Sequence, residues 1–166
     1  MIQFKQAAVV VYADLGVSAL PAHPPFARKE FDRWLAQAKH TLGSARRDLE
    51  HADFVWASFK AQQAAEYAVK GLARGLGLPA TGHAVTRLLK DISAAGLSIP
   101  QEHLRDARTL DRHYVPPRYP DAYPEGSPVE FYDQETAEEA LAAAERIIAA
   151  VERWVEQYLY GEDGGE

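Results

Sequence analysis

The spacing of apolar residues along most of the chain is that of α-helices. From Phe31 onward apolar residues recur at steps of three and four, which places them on one face of a helix. The first such stretch covers about residues 26–52, and the second follows Asp53, a residue type that favours helix N-termini. Gly75 and Pro79 interrupt the second pattern, so the second helix is predicted to end there.

Two shorter patterns and one long pattern follow. A short helix is expected between Gly82 and Gly96, and Ser98 and Pro100 favour the start of a fourth helix. The last pattern begins at Asp133 or Thr136 and continues for about 25 residues, close to 40 Å of helix. Three long and two short amphipathic helices together predict an all-α, antiparallel helical bundle.

The helical patterns assign residues 26–160 to one bundle domain. Residues 1–25 are predicted to form an N-terminal arm, in which residues 7–13 are apolar and β-branched enough for a strand. Because a lone strand cannot form a sheet, we expect this segment to pack on the helices, to pair with another chain or to be helical. Residues 161–166, Gly-Glu-Asp-Gly-Gly-Glu, are expected to be a disordered tail.

Composition narrows the class of protein. A chain of 166 residues is long enough for one domain with a self-sufficient core, and the absence of cysteine excludes disulfides and thiol catalysis. No apolar run reaches the roughly 18 residues of a membrane span, and no signal-peptide pattern is present. We therefore expect a cytoplasmic protein without membrane contact. A formal net charge of −6 argues against a protein that coats nucleic acid through bulk positive charge.

Several motifs of cofactor-dependent proteins are missing from the sequence. It contains no Glu-x-x-His pair of the kind that holds a di-iron centre in helical bundles, no dinucleotide-binding loop and no P-loop. The sequence therefore predicts neither a metal site nor a cofactor.

The stretch from Arg108 to Pro128 concentrates the candidate chemistry. It contains five of the ten prolines, and proline fixes φ, so we expect a stiff loop. Arg108 and His113 lie five positions apart, which in an unbroken helix would place them about 140° apart around the axis. They can converge if the helix ends near Asp111, or between two chains across a dimer axis.

A converged arginine and histidine can cleave RNA without a metal ion. His113 can move the proton of a ribose 2′-hydroxyl or of the leaving group, while Arg108 neutralises charge that builds up on the phosphate. Tyr114, Arg118 and Tyr119 are candidates for holding a phosphate and stacking on a base.

Several of these residues also have a purely structural interpretation. Arg118 and Asp121 can pair with each other or cap loop carbonyls, and Lys60 and Lys70 can form ion pairs across a dimer instead of binding phosphate. His83, at the start of a helix, is interpreted as a local hydrogen-bonding or packing residue rather than as a catalyst. Three further histidines on polar helix faces are expected at the surface: His40, His51 and His103.

Three segments resemble the HEPN domain family of prokaryotes. They are residues 57–70 of the second helix, Gly82-His83 followed by Leu88-Leu89, and residues 110–121, Leu-Asp-Arg-His-Tyr-Val-Pro-Pro-Arg-Tyr-Pro-Asp. The resemblance covers about residues 31–159. It implies a small helical bundle that forms a homodimer with a cleft between the protomers, and that is often encoded beside a minimal nucleotidyltransferase.

Some members of this family are ribonuclease toxins with an Arg-x(4 to 6)-His motif, which falls here on Arg108 and His113. In the toxin branch a tyrosine commonly precedes the histidine by two positions. Here Asp111 occupies that position and Tyr114 follows the histidine. The sequence is more similar to the branch with an Arg-Tyr-Pro-Asp signature, at residues 118–121, and the resemblance leaves the activity of that branch open.

Three functions follow as hypotheses. The first is a toxin-antitoxin-like protein that acts as a metal-independent endoribonuclease, with Arg108 and His113 at a dimer cleft. The alternative is a non-catalytic module that binds a nucleotide or RNA and partners a minimal nucleotidyltransferase. Its candidate binding residues are Tyr114, Arg118, Tyr119, Asp121, Lys60 and Lys70. The third is a dimerisation and docking bundle without small-molecule chemistry.

Overall fold

The computed structural model describes residues 25–160, so the predicted tail and all of the predicted N-terminal arm except Pro25 lie outside the described residues. Within that range the chain forms five α-helices, two short 3-10 turns and no strand. The helices are α1 (Arg28–Glu50), α2 (Phe54–Gly75), α3 (Val85–Ala94), α4 (Gln101–Asp111) and α5 (Gln134–Tyr160), and the 3-10 turns are Pro116–Arg118 and Pro128–Glu130. The predicted all-α class, with three long and two short helices, is confirmed. None of these five helices is long and apolar enough to cross a membrane.

Helix α2 is the centre of the bundle. It contacts each of the other four helices, and 14 of its 22 residues are buried. Its many alanines allow close approach, and a Cβ added to Gly71 would lie only 2.8 Å from the Cβ of Trp34 on α1. Because α2 is covered on several sides, polar side chains along it are held inside the bundle and need internal partners.

The ends of the later helices mostly agree with the sequence patterns. Helix α5 begins after Asp133, whose carboxylate accepts the backbone N–H of Thr136 at 2.9 Å, as expected for an N-terminal cap. Helix α4 differs in detail, because Pro100 rather than Ser98 occupies its N-cap position and no side chain caps it. The helix ends at Asp111, ahead of Pro116, as the proline pattern predicted.

A second predicted side-chain cap, that of Asp53 in the turn between α1 and α2, is not formed. Asp53 stands at the N-cap position of α2, but its side chain makes no capping hydrogen bond. Its backbone N–H instead donates to the carbonyl of Asp48 at 2.8 Å, and the preceding Ala52 has a φ of 59°. The turn is therefore fixed by backbone hydrogen bonds rather than by the predicted carboxylate cap.

One of the histidines predicted at the surface is buried. His103 on α4 is only 6% exposed, and its ring meets Trp154 of α5 edge to face, with centroids 5.3 Å apart. The prediction was wrong because this face of α4 packs against α5. His40 and His51 are exposed, as predicted.

Candidate functional site

One carboxylate joins the end of α4 to the start of α3. Asp111 accepts hydrogen bonds from the backbone N–H groups of Val85 at 2.6 Å and Thr86 at 3.1 Å. The first N–H groups of a helix have no partner within the helix, so this carboxylate satisfies two of them and is favoured by the helix dipole. The contact helps to place His83, just before α3, beside Tyr114, just after α4.

Tyr114 is the platform on which two other side chains rest. The rings of His83 and Tyr114 are stacked, with centroids 4.5 Å apart and planes inclined by 12°. The Cζ atom of Arg118 lies 4.2 Å from the same Tyr114 centroid, and Arg118 Nε donates to the Tyr114 carbonyl at 2.7 Å. The 3-10 turn brings Arg118 back to Tyr114, where a cation–π contact and a hydrogen bond fix the guanidinium group.

Other aromatic rings surround the Arg118 guanidinium. Its Cζ lies 5.0 Å from the centroid of Phe59 on α2 and 5.4 Å from that of Tyr119. The Tyr119 side chain is exposed, and no hydrogen bond joins the Nη groups of Arg118 to any of residues 25–160. These donors are therefore available to an acceptor from outside. We call His83, Tyr114, Arg118 and Tyr119 the Tyr114 surface.

A buried carboxylate lies behind His83. Glu66 of α2 is 1% exposed, and its Oε1 accepts a hydrogen bond from Lys70 at 2.7 Å. Its Oε2 accepts from the side-chain amides of Gln62 and Gln63, each at 3.1 Å, and His83 Nδ1 lies 3.1 Å from Oε1. A buried carboxylate is costly unless it is paired and hydrogen-bonded. Here four partners satisfy it, and we call this set the Glu66 network.

The Glu66 network fixes which nitrogen of His83 carries the proton. A carboxylate that pairs with Lys70 only accepts hydrogen bonds, so the neutral His83 ring donates from Nδ1 and its Nε2 is an acceptor. Gln62 also donates to the His83 carbonyl at 2.9 Å, so both the ring and the backbone are held. The His83 side chain is 54% exposed, and a ligand can therefore reach it.

His113 lies in a different environment, in a cavity of about 510 Å³ whose lining includes the stacked rings of Tyr123 and Phe131. We call this cavity the His113 pocket. The histidine is 7% exposed, and its Nδ1 lies 3.2 Å from the Tyr132 hydroxyl. Burial, together with a smaller effect of the Arg112 guanidinium, lowers the pKa of His113 to about 4. Burial also raises the pKa of Tyr132, which keeps its hydroxyl protonated.

Comparison with known proteins shows which family shares this bundle. The model of the HEPN domain matches residues 31–154 of the chain. The chain belongs to the HEPN family. Among solved structures, the HEPN bundle is similar to TT1696 from Thermus thermophilus, with 42% sequence identity and a TM-score of 0.72, over 75% of this chain and 98% of that one.

Two further HEPN structures are similar to this chain. ST0689, an archaeal HEPN homologue, is 36% identical with a TM-score of 0.65, covering 75% of this chain and 97% of its own. An HEPN domain protein from Thermotoga maritima is also 36% identical, with a TM-score of 0.61, covering 75% of this chain and 98% of its own. A search of curated proteins returned no match.

The structure brings together part of the predicted binding set of this HEPN chain. Tyr114, Arg118 and Tyr119 meet at one surface. Lys70 lies beneath that surface and is connected to it through Glu66.

The other predicted binding residues, Lys60 and Asp121, make no hydrogen bond, ion pair or ring contact with this group. Lys60 on α2 pairs with Asp48 on α1, with a distance of 2.6 Å between Nζ and Oδ2. The ion pairs predicted for Lys60 and Lys70 across a dimer therefore form within one chain, with Asp48 and Glu66. Asp121 is exposed, and among residues 25–160 it forms no ion pair with Arg118. Of the two structural roles predicted for Arg118, pairing with Asp121 is wrong, and a hydrogen bond to a loop carbonyl is present, at Tyr114.

The predicted catalytic pair does not meet within one chain. Arg108 is exposed on α4 and makes no hydrogen bond, ion pair or ring contact with any of residues 25–160. The helix does end at Asp111, as convergence requires, but the His113 ring turns to Tyr132 instead. Catalysis by Arg108 and His113 stays a prediction that needs a second chain. No cluster of three or more His, Asp or Glu side chains in the described part of the chain could hold a metal ion.

Sequence reasoning missed Glu66, and it gave His83 only a local hydrogen-bonding or packing role, with which the contacts of His83 to Glu66 and Tyr114 agree. The signal for Glu66 is its position: Gln62, Gln63 and Glu66 interrupt a run of alanines on the second helix. A carboxylate in such a stretch must find partners inside the protein. The pattern does not say that one of these partners is His83, 17 residues further along the chain.

Proposed function

We propose that this HEPN protein binds single-stranded RNA, or a nucleotide as the smallest ligand of the same chemistry, on the Tyr114 surface. The observation that carries the proposal is the fixed Arg118 guanidinium next to the exposed ring of Tyr119. It is held against Tyr114, and neither of its Nη groups is hydrogen-bonded to any of residues 25–160. A pre-positioned arginine suits a phosphate, and an exposed aromatic ring suits a base.

The charge of the chain supports a local rather than an extended contact. With a formal net charge of −6, the protein has no general attraction for a polyanion. Binding must therefore come from a few placed groups, above all Arg118, and we expect a small dependence of affinity on salt. Each phosphate neutralised on a single strand contributes a slope of only about 0.7 in log affinity against log salt.

The proposal includes a biological setting that rests on the HEPN family. In it the chain forms a homodimer and belongs to a toxin-antitoxin-like module with a minimal nucleotidyltransferase as partner. A dimer is also the one arrangement in which Arg108 of one chain could approach His113 of another and act in RNA cleavage. Light scattering after size-exclusion chromatography tests the dimer, with a mass of one chain as the contradicting result.

The binding proposal is tested by fluorescence anisotropy with a labelled single-stranded RNA, and by calorimetry with ATP and GTP. Tyr119→Ala should weaken RNA binding about 10-fold, because it removes a stacking surface. Tyr160→Ala is the matched control, since Tyr160 is an exposed tyrosine at the far end of α5. No affinity for RNA or nucleotide, or an equal loss in both variants, would overturn the proposal.

A further inference from the structure

We infer that His83, positioned by Glu66, is the group that moves protons in cleavage of an RNA strand bound on the Tyr114 surface. The inference rests on the proposed binding of RNA and adds a reaction to it. It assigns the catalytic histidine to the loop before α3 rather than to the Arg108 and His113 motif.

The first argument is the way Glu66 is buried. A carboxylate whose side chain is 2% exposed could be satisfied by Lys70 and the two glutamines alone, yet it also faces the ring of His83 at 3.1 Å. A carboxylate on one imidazole nitrogen fixes the tautomer and orientation of the ring and stabilises the imidazolium form after proton uptake. Glu66 is therefore a positioning residue, and His83 is the group that would touch the substrate.

The second argument is what the opposite side of the ring offers. With Nδ1 donating to Glu66, the acceptor of His83 is Nε2, and no hydrogen bond joins it to the described part of the chain. The side chain is more than half exposed, so a substrate atom can approach. Stacking on Tyr114 prevents the ring from turning away.

The third argument is the nearby cation. Arg118 contacts the same Tyr114 ring as His83, so no more than that ring separates the guanidinium from the imidazole. Its free Nη groups can donate to the non-bridging oxygens of a phosphate, where negative charge grows as the phosphodiester is attacked. A proton acceptor and a phosphate-binding donor that both contact one half-buried tyrosine are suited to RNA, which carries its own nucleophile.

The reaction balances without a metal ion or a second reactant. His83 Nε2 takes the proton of a ribose 2′-hydroxyl, and the 2′-oxygen attacks the adjacent phosphorus. The bond between phosphorus and the 5′-oxygen breaks, and His83 returns the proton to that oxygen. The products are a 2′,3′-cyclic phosphate and a free 5′-hydroxyl, and His83 is neutral again.

The test uses the full chain and a 5′-labelled single-stranded RNA in EDTA. We expect the wild-type protein to produce 2′,3′-cyclic phosphate ends and to bind, but not cut, the all-2′-deoxy analogue. His83→Gln should lower the single-turnover cleavage rate, measured at saturating protein, at least about 100-fold, the usual contribution of a general base. His51→Gln, an exposed histidine at the end of α1, is the matched control and should cleave normally.

Two further variants separate catalysis from structure. Added imidazole should restore cleavage to His83→Ala, which a merely structural histidine would not allow. Glu66→Gln should displace the pH-rate profile while RNA binding persists. Binding without cleavage by the wild type, or a full rate in His83→Gln, would overturn this inference and leave the binding proposal intact. Absence of RNA binding would remove both.

Discussion

The Tyr114 surface and the His113 pocket each contain a histidine next to a tyrosine, but the two histidines are held in opposite ways. His83 is more than half exposed and contacts a carboxylate, whereas His113 is 7% exposed and contacts a hydroxyl. Burial lowers the pKa of His113 to about 4, so its ring is a weak base at neutral pH. The comparison teaches that accessibility and the partner of the second nitrogen, rather than the residue type, decide which histidine is equipped for chemistry.

The largest expected effect is on the free energy of unfolding, and it concerns Glu66, the buried carboxylate that contacts His83. Glu66→Ala leaves Lys70, whose side chain is only 12% exposed, without its partner inside the bundle. Removing one member of a buried ion pair typically costs about 3 kcal/mol or more of the free energy of unfolding. Urea denaturation measures this loss. Glu66→Gln, which keeps the volume and part of the hydrogen bonding, should lose less, and wild-type stability in Glu66→Ala would show that the Glu66 network is not structural.

The second-largest expected effect is the pH dependence that His113 gives to the free energy of unfolding. Above about pH 6.5 His113 is neutral in both the folded and the unfolded chain. Between pH 6.5 and 4 the unfolded chain takes up a proton that the folded chain does not, so the free energy of unfolding falls as the pH falls. The loss is expected to be about 2 to 3 kcal/mol and to stop near pH 4, where the folded chain is protonated as well.

The matched variant for this pH effect is His113→Gln, studied by urea denaturation between pH 4 and 7. Its stability should fall less steeply than that of the wild type. Some dependence should remain, because burial also lowers the pKa of His103, which acts in the same direction. Parallel curves for the two proteins would mean that His113 is accessible to solvent in the folded state.

The sequence predicts the elements better than it predicts the site. Apolar periodicity and the breaks at Gly75 and Pro79 are local signals, and they locate the helices that the structure shows. The end of α4 at Asp111 was also predictable, because Pro116 and Pro117 follow closely. Each of these signals lies within a few residues of the feature that it predicts.

The contacts within the candidate site could not be predicted from such local sequence signals. Glu66 and His83 are 17 residues apart and belong to different elements, so only the packing of α2 against α3 makes them partners. Burial of His103 likewise depends on which face of α4 meets α5. The spacing of Arg108 and His113 allowed convergence but did not say that His113 would turn to Tyr132.

A smaller effect on the free energy of unfolding is expected for Asp111, the carboxylate that joins the end of α4 to the start of α3. Asp111→Ala removes the acceptor of two N–H groups at the start of α3, and the loss of such a cap costs about 1 to 2 kcal/mol. Thermal and urea denaturation should both detect it. Asp121→Ala, at an exposed aspartate of the loop that follows α4, is the control and should change stability by less than about 0.5 kcal/mol. Equal effects would mean that Asp111 does not join α4 to α3.

The smallest expected effect on the free energy of unfolding is the difference between removing the hydroxyl of Tyr132 and removing that of Tyr114. Tyr132→Phe removes the hydroxyl next to His113 Nδ1 and should cost about 1 kcal/mol. Tyr114→Phe keeps the ring that stacks on His83 and removes a hydroxyl without a hydrogen bond to residues 25–160, so its effect should be below about 0.5 kcal/mol. Urea denaturation of both variants in one buffer gives the difference, and a larger loss in Tyr114→Phe would reverse the assignment.

The central claim is that the functional surface is formed around Tyr114 and Arg118 rather than around Arg108 and His113. The most direct test is the affinity of one labelled single-stranded RNA for two variants, Arg118→Ala and Arg108→Ala, measured by anisotropy at a single salt concentration. Each variant removes one positive charge, so bulk electrostatics changes equally. We expect Arg118→Ala to weaken binding at least about 10-fold, as for a charge-assisted contact to phosphate, and Arg108→Ala to stay within about twofold of the wild type. A larger loss in Arg108→Ala than in Arg118→Ala would contradict the account.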